Sequence, residues 1–144
     1  MADVLFPVTE SPEFTEESTI YDSDYKKTVA WDFEKGDFIL NGRNQMEVCD
    51  GVAGFKAWCV KMAFTERGEC LAYDEDIGVE LNSALDEPNE AAVEVAVERT
   101  ITEALSTNPR TEYVRDFSFE WDGDSLSVEF TVKGVETDEF KVRI

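Results

Sequence analysis

Apolar and polar residues alternate along most of the last third of the chain, from residue 112 to residue 144. A period of two predicts strands, because successive side chains of a strand point to opposite faces of a sheet. The segments DGDS and KGVETDEF interrupt the alternation with turn-forming residues, which predicts a three-stranded antiparallel meander that ends on Ile144. One face of its first strand is expected to carry Tyr113, Arg115, Phe117, Phe119 and Trp121.

In the middle of the chain the apolar residues recur at spacings of three and four, which predicts helices. The first helix is expected to run from Asp50, as its N-cap, to about Thr65, with Arg67-Gly68 as its stop signal. A second, short helix is expected after Asp74 or Asp76, where apolar residues lie four apart.

A third helix is expected to open at Glu87-Pro88, because proline and acidic residues are favoured in a first turn. It is expected to end before Pro109, which cannot continue a helix and biases Asn108 toward extended geometry. Its apolar stripe, at a spacing of four residues, consists of Val93, Val97, Ile101 and Leu105.

The N-terminal part of the chain divides into a hairpin and an arm. Residues 28–41 read TVAWDFEKGDFILN, which predicts a hairpin that turns at Glu34–Asp37. Residues 1–27 hold acids and prolines with little periodicity, and two hypotheses remain open for them: an extended arm that a partner orders, or a floppy terminus. The sequence thus predicts an α+β protein, with an arm over residues 1–27 and a single domain over residues 28–144. Apolar points in the arm are Val4, Leu5, Phe6, Phe14, Ile20 and Tyr21.

Charge and composition exclude several classes of function. The 144 residues carry a formal net charge of −20, from 33 acids and 13 bases, and include no histidine. This charge disfavours binding to nucleic acid or to anionic membranes, and favours solubility or a basic protein partner. Without histidine, the chain holds no Ser-His-Asp or Cys-His arrangement and no zinc site that needs imidazole.

The acidic N-terminus lacks the pattern of a secretory signal, so synthesis in the cytoplasm is expected. The three cysteines, Cys49, Cys59 and Cys70, are scattered along the chain and are expected to be free thiols. Two of the three are expected to be buried.

Acidic residues are the remaining candidates for catalysis or metal binding, and their patterns are weak. Glu66 and Glu69 form one of many chance pairs of the kind that glycoside hydrolysis needs. Asp74, Glu75 and Asp76 lack the alternating oxygens and the glycine of a calcium loop, and they are expected at a helix N-terminus instead. We therefore expect no catalytic residue, no cofactor and no metal.

The predicted meander ends on the last residue, so its terminal strand is a potential sheet edge. The first hairpin is a second candidate. An exposed edge accepts a strand from another chain in many assemblies. The acids and lysines on these strands are equally consistent with protection against such pairing, and the pattern alone leaves both hypotheses open.

Read in order, residues 28–144 resemble a known family, the small baseplate wedge proteins of contractile phage tails, also called sheath initiators or lysozyme-like wedge proteins. The resemblance lies in GVAGFKAWCVKMAFTERGECLAYDEDIGVEL, in VAVERTITEALSTNPRTEYVRDFSFEWDGDSLSVEFTV, and in the order of hairpin, helices, proline joint and meander. The family motif Glu-Pro-Arg after the long helix corresponds to Asn108-Pro109-Arg110, where asparagine replaces the glutamate. The prophage and bacteriocin branch of the family is the most similar. Further positions that match family motifs are Thr65, Gly68, Tyr73 and Gly78.

The resemblance implies a structural protein of the tail baseplate, assembled in the host cytoplasm, without enzymatic activity. It implies that several copies form a ring around the tube, join the wedge subunits and start sheath polymerisation by strand exchange. The partners implied are baseplate wedge subunits, the tail sheath protein, and tail tube or hub proteins. The residues expected to contact partners are Asn108, Pro109, Arg110, Phe140, Val142 and Ile144.

Two alternatives belong to other classes of function. The abundance of acids and the name of the family leave open an acid-dependent, lysozyme-like peptidoglycan hydrolase. The net charge leaves open an acidic inhibitor that imitates nucleic acid.

Overall fold

The computed structural model describes residues 27–135 and 137–144. This part of the chain forms three helices and a C-terminal three-stranded antiparallel sheet, which confirms the predicted α+β class. The arm predicted over residues 1–27 lies outside the described residues, apart from Lys27. In chain order the elements are β1 (Thr28–Val29), β2 (Trp31–Asp32), β3 (Asp37–Phe38), β4 (Val48–Cys49), α1 (Gly51–Phe64), α2 (Leu81–Leu85), α3 (Glu90–Ser106), β5 (Thr111–Asp122), β6 (Ser125–Gly134) and β7 (Phe140–Arg143).

Two short antiparallel strand pairs, β2–β3 and β1–β4, make up the N-terminal part, which we call the hairpin region (residues 28–49). The pairing of β2 with β3 confirms the predicted hairpin. Its turn is stabilised by the carboxylate of Asp32, which accepts hydrogen bonds from the N–H groups of Glu34 and Lys35 at 3.0 and 3.1 Å. β1 pairs with β4, with Thr28 opposite Cys49, and the sequence pattern did not predict this pair.

The predicted first helix is confirmed as α1. Asp50 occupies the predicted N-cap position, but its side chain makes no capping hydrogen bond. The helix ends at Phe64, with Thr65 as its C-cap, in agreement with the predicted end at about Thr65. The N–H of Val79 binds the carbonyl of Thr65 at 2.8 Å, and Thr65 is in an extended conformation. The buried face of α1 includes Phe55, Ala57, Cys59, Val60, Met62 and Ala63.

The acidic segment after α1 is a loop, so the prediction that Asp74–Asp76 start a helix is wrong. The short helix α2 begins only at Leu81. The free N–H groups at its start are satisfied from outside: the Glu66 carboxylate accepts hydrogen bonds from Leu81 and Asn82 at 3.1 and 3.3 Å. The start of α2 is therefore capped by the side chain of a distant residue, whereas the sequence pattern predicted local acidic residues at the helix N-terminus.

The long helix α3 confirms the third predicted helix but begins at Glu90, three residues after the predicted Glu87. Asn89 explains the position, since its side chain accepts a hydrogen bond from the N–H of Ala92 at 3.0 Å and caps the helix. All four residues of the predicted stripe are buried: Val93, Val97, Ile101 and Leu105.

The three C-terminal strands confirm the predicted meander, with β6 in the centre. The predicted alternation of β5 is wrong in its first half. Arg115 lies opposite Thr131 and Ser118 opposite Glu129, so two residues of β5 face one residue of β6. This bulge, at which Asp116 has a φ of 57°, switches the faces. Val114 therefore packs inward, with Phe117, Phe119 and Trp121, while Tyr113 and Arg115 lie on the outer face with Glu139.

One hydrophobic core joins α1, α3 and the inner face of the sheet. Phe130, on the central strand, is fully buried in it. Of the cysteines, Cys59 is buried, Cys49 is half-buried and Cys70 is exposed, so one thiol rather than the predicted two is buried. Burial raises the pKa of the Cys59 thiol far above its ordinary value. Within the described residues, no helix combines the length and the apolar character that crossing a membrane requires.

Candidate functional site

β7 lies at an edge of the C-terminal sheet, because the strand order is β5–β6–β7. Its alternate side chains turn inward: Val142 is buried, and Phe140 and Ile144 pack against the core. These three residues were predicted to contact a partner. Their side chains face this chain's own core, and their role at an interface stays a prediction.

The backbone of β7 has a second, outward-facing set of groups. Val128 and Ile144 exchange two backbone hydrogen bonds of 2.9 Å. In an antiparallel pair, residues bonded in this way alternate with residues whose N–H and C=O groups point away from the partner strand. By the register of β6 and β7, Lys141 and Arg143 are of the second kind. We call their N–H and C=O groups the β7 edge. The alternation of side chains in the sequence did not indicate these two residues.

The opposite edge of the sheet, along β5, is less regular. Its register with β6 shifts twice, once between Thr111 and Tyr113 and once between Arg115 and Ser118. Bulges interrupt the even row of N–H and C=O groups that an added strand needs. Between the two edges of this sheet, β7 therefore presents the more regular template.

Side chains from β7 lean back over the outer face of the sheet. The ammonium of Lys141 lies 2.7 Å from a carboxylate oxygen of Glu129 on β6. The guanidinium of Arg143 reaches across β6 to Glu120 on β5, at 3.0 Å. Glu139, just before β7, accepts hydrogen bonds from the Tyr113 hydroxyl and the Arg115 guanidinium. These contacts hold the terminal strand to the sheet through the outer face and do not themselves cover the β7 edge.

The same contacts lower the pKa values of two carboxylates, those of Glu129 and Glu139. The hydrogen bond from Lys141 holds the pKa of Glu129 below its ordinary value of 4.5. The hydrogen bond from Tyr113 lowers the pKa of Glu139 in the same way. Since the folded-state pKa values are lowered, these groups stabilise the fold above about pH 4.5 and the contribution is lost as the pH falls through the lowered values.

Acid titration therefore tests the outer-face contacts. We expect Glu129→Gln to melt at a lower temperature than the wild type near neutral pH. The difference should stay constant from about pH 7 to about pH 4.5 and shrink as the pH falls further, because the wild-type carboxylate becomes protonated only below its ordinary pKa. Thermal melts by circular dichroism across this range measure it. A difference that stays constant with pH would show that the charge of Glu129 plays no part.

Asn108, Pro109 and Arg110 form the joint between α3 and β5. The side-chain oxygen of Asn108 accepts a hydrogen bond from the N–H of Arg110 at 2.9 Å, and its carbonyl accepts one from Thr111 at 2.9 Å. The N–H of Val135 donates to the carbonyl of Arg110 at 2.8 Å. The joint is thus fastened to the turn between β6 and β7, beside the start of the edge strand. Asparagine at position 108 stabilises the turn itself.

The acidic residues considered for catalysis do not meet. Glu66 caps α2, while Glu69 lies on the exposed loop. On the outer face, Glu120 and Glu129 line a concavity of about 60 Å³, far smaller than the roughly 300 Å³ of a small ligand pocket. Each of these two carboxylates is paired with a base. In residues 27–135 and 137–144, no three histidine, cysteine or acidic side chains form a group that could hold a metal ion.

Comparison with known proteins shows the family of the chain. Residues 27–137 match the family model of the contractile injection system sheath initiator. The chain is 31% identical over 142 residues to the phage-like element PBSX protein XkdS of Bacillus subtilis (strain 168), covering 97% of this chain and 93% of that protein. Both findings confirm the resemblance seen in the sequence. The chain belongs to the contractile injection system sheath initiator family, which gives it a structural role in a contractile tail.

Proposed function

We propose that this protein starts sheath polymerisation by offering the β7 edge to a strand of the first sheath subunits. The main observation in support is that the N–H and C=O groups of Lys141 and Arg143 point away from the sheet, on the more regular of its two edges. A strand that adds there continues the sheet, as in other cases of strand addition. The added strand would in turn offer its own outer edge to the next subunit.

The strength of such a contact follows from its size. Each backbone hydrogen bond contributes about 0.5–1.5 kcal/mol net, so the few bonds of a short edge give a weak contact in one copy. Several copies in a ring around the tube would bind a ring of sheath subunits together, and linked weak contacts add to high avidity. We therefore place the protein in the baseplate as multiple copies, next to tail tube or hub proteins.

The joint at Asn108–Arg110 is proposed as the contact with the baseplate wedge subunits. It is fixed by hydrogen bonds on both sides, to Thr111 and to Val135, and so offers a rigid surface. A guanidinium recognises carboxylate or carbonyl groups through directional, charge-assisted bonds, which suits Arg110 to holding this joint or a neighbouring subunit.

A nucleation experiment tests the proposed function. Tubes with baseplates assembled without this chain should fail to grow a sheath when purified sheath protein is added. Adding the chain should restore sheaths of normal length, seen by electron microscopy. Equal growth with and without the chain would contradict the proposal.

We also propose that the protein is not an enzyme. The carboxylates of the outer-face concavity are held by Lys141 and Arg143, which leaves them poorly suited to acid and nucleophile roles. A peptidoglycan zymogram of the purified chain should show no clearing. Clearing that a single Glu→Gln substitution abolishes would instead establish a hydrolase.

A further inference from the structure

The side chains of the edge strand β7 are basic on one face of the sheet. β7 reads FKVR and contains no acidic residue, although the chain carries a formal net charge of −20. Lys141 and Arg143 lie on the outer face, where they contact Glu129 and Glu120. Their side chains nevertheless remain 71% and 63% exposed, respectively. The last row of charges at this edge is therefore basic, whereas the protein as a whole is strongly acidic.

Both bases have their acidic partners on one side only. Glu129 is the register partner of Arg143 and lies 2.7 Å from the ammonium of Lys141, and Glu120 lies farther back, on β5. β7 is the last strand of the described sheet, so a strand added to it would place its outer-face side chains beside Lys141 and Arg143 from the opposite side. Cross-strand neighbours of opposite charge stabilise a sheet, and neighbours of like charge destabilise it.

The two bases also have more N–H groups than their present contacts use. An ammonium offers three N–H donors and a guanidinium offers five. Lys141 binds one oxygen of Glu129, and Arg143 binds Glu120 through one terminal nitrogen. A carboxylate on an added strand can accept further, charge-assisted hydrogen bonds from these groups. A lysine or arginine at the same place would meet only like charge.

The inner face of the same edge is apolar. Val142 is buried, while Phe140 and Ile144 are half-buried. The ring of Phe140 packs edge-to-face against Phe55 of α1, with 6.0 Å between the ring centroids. Since the side chains of a strand alternate between the two faces, every second residue of an added strand would lie on this inner face. Apolar side chains at these positions would cover what remains exposed of Phe140 and Ile144.

The net charge of the chain acts over a longer range than these contacts. A charge of −20 repels an acidic strand at a distance. At about 0.15 M ionic strength the Debye length is about 8 Å, so the more distant exposed charges are largely screened. Cross-strand neighbours have their Cβ atoms about 5 Å apart, which lies within this length. The bases beside the added strand therefore determine which charge is favoured there.

We propose that the β7 edge selects a strand in which acidic residues alternate with apolar ones. The acids lie beside Lys141 and Arg143, and the apolar residues lie beside Phe140 and Ile144. The inference rests on the proposed sheath contact and adds the chemistry of the strand that the sheath subunit supplies. Backbone hydrogen bonds hold the strand, while the side chains of the edge discriminate between strands.

Strands tethered to the C-terminus of the full-length chain test this selectivity. A flexible Gly/Ser linker of about 10 residues gives an effective concentration on the order of millimolar, so that a weak contact is populated. In one extension valine alternates with glutamate, and in the matched control lysine replaces each glutamate. Amide hydrogen exchange of Lys141 and Arg143, measured by NMR, reports whether their N–H groups are bonded. At about 0.15 M salt, we expect several-fold greater protection by the glutamate strand.

Lys141→Gln with Arg143→Gln is the control for the charges. This variant keeps the N–H groups of the β7 edge and should lose the preference for the glutamate strand; a preference that persists would overturn the proposal. In the wild-type chain, equal protection by the two strands, or greater protection by the lysine strand, would overturn the selectivity and leave strand addition standing. Protection by neither strand would contradict the proposed sheath contact, and this inference with it.

Discussion

Replacing Lys141 and Arg143 together by proline is expected to stop sheath assembly while leaving the protein folded. The N–H groups of both residues point away from β6, so proline removes no hydrogen bond within the sheet. It does remove both donors of the β7 edge, and its ring obstructs an incoming strand. Electron microscopy of particles that carry the double variant should show tubes with baseplates and no sheath.

The matched control is Lys141→Ala with Arg143→Ala. It loses the same ion pairs to Glu129 and Glu120 but keeps both N–H groups. Exposed ion pairs contribute little to stability, so both double variants should melt within a few degrees of the wild type. We expect sheaths on the alanine variant. If the alanine variant fails as completely as the proline variant, side-chain charge rather than strand addition carries the contact.

The second large effect is expected for Gly78→Ala, which should destabilise the fold by about 3 kcal/mol. A Cβ atom at this position would lie 2.6 Å from the backbone oxygen of Thr65, and the residue has a φ of +102°. The backbone cannot retreat easily, since the carbonyl of Thr65 accepts the N–H of Val79 at 2.8 Å. Thermal or urea unfolding measures the loss, which corresponds to a melting temperature lower by roughly 10 °C.

Gly68→Ala provides the comparison for that effect. Gly68 also has a positive φ, of +81°, but a Cβ atom there would meet nothing within 4 Å. Only conformational strain remains, so we expect a loss of about 1 kcal/mol. Equal losses at the two positions would mean that the close approach of Gly78 to Thr65 does not matter.

The sequence predicted the parts of the fold that depend on periodicity. The stripe from Val93 to Leu105 repeats at helical spacing over more than three turns, and burial of one face is the main force that places such a helix. The terminal meander alternates clearly from Leu126 to Val132 and again from Phe140 to Ile144. These elements contain few competing signals, and they were predicted with the correct type.

The features that the sequence did not predict depend on tertiary contacts. The bulge at Asp116 leaves no mark in the alternation, since aromatic residues on both sides of it satisfy a single uninterrupted pattern. The position of α2 depends on Glu66, fifteen residues before the N–H group of Leu81 that it binds. The pairing of β1 with β4 joins two-residue strands that carry no periodicity of their own.

The candidate site could be predicted in part. The alternation of apolar and polar residues in the terminal strand indicated which side chains face inward. Which backbone groups face outward depends on the hydrogen-bonded pairing of Val128 with Ile144, and that phase is a property of the assembled sheet. Lys141 and Arg143 were missed for this reason.

Cryo-electron microscopy of the first sheath ring on a baseplate tests the central claim most directly. We predict an extended strand of a sheath subunit beside β7, with its backbone hydrogen-bonded to the N–H and C=O groups of Lys141 and Arg143. A first sheath ring that is seated on this protein through other surfaces, with the β7 edge facing solvent, would contradict the account.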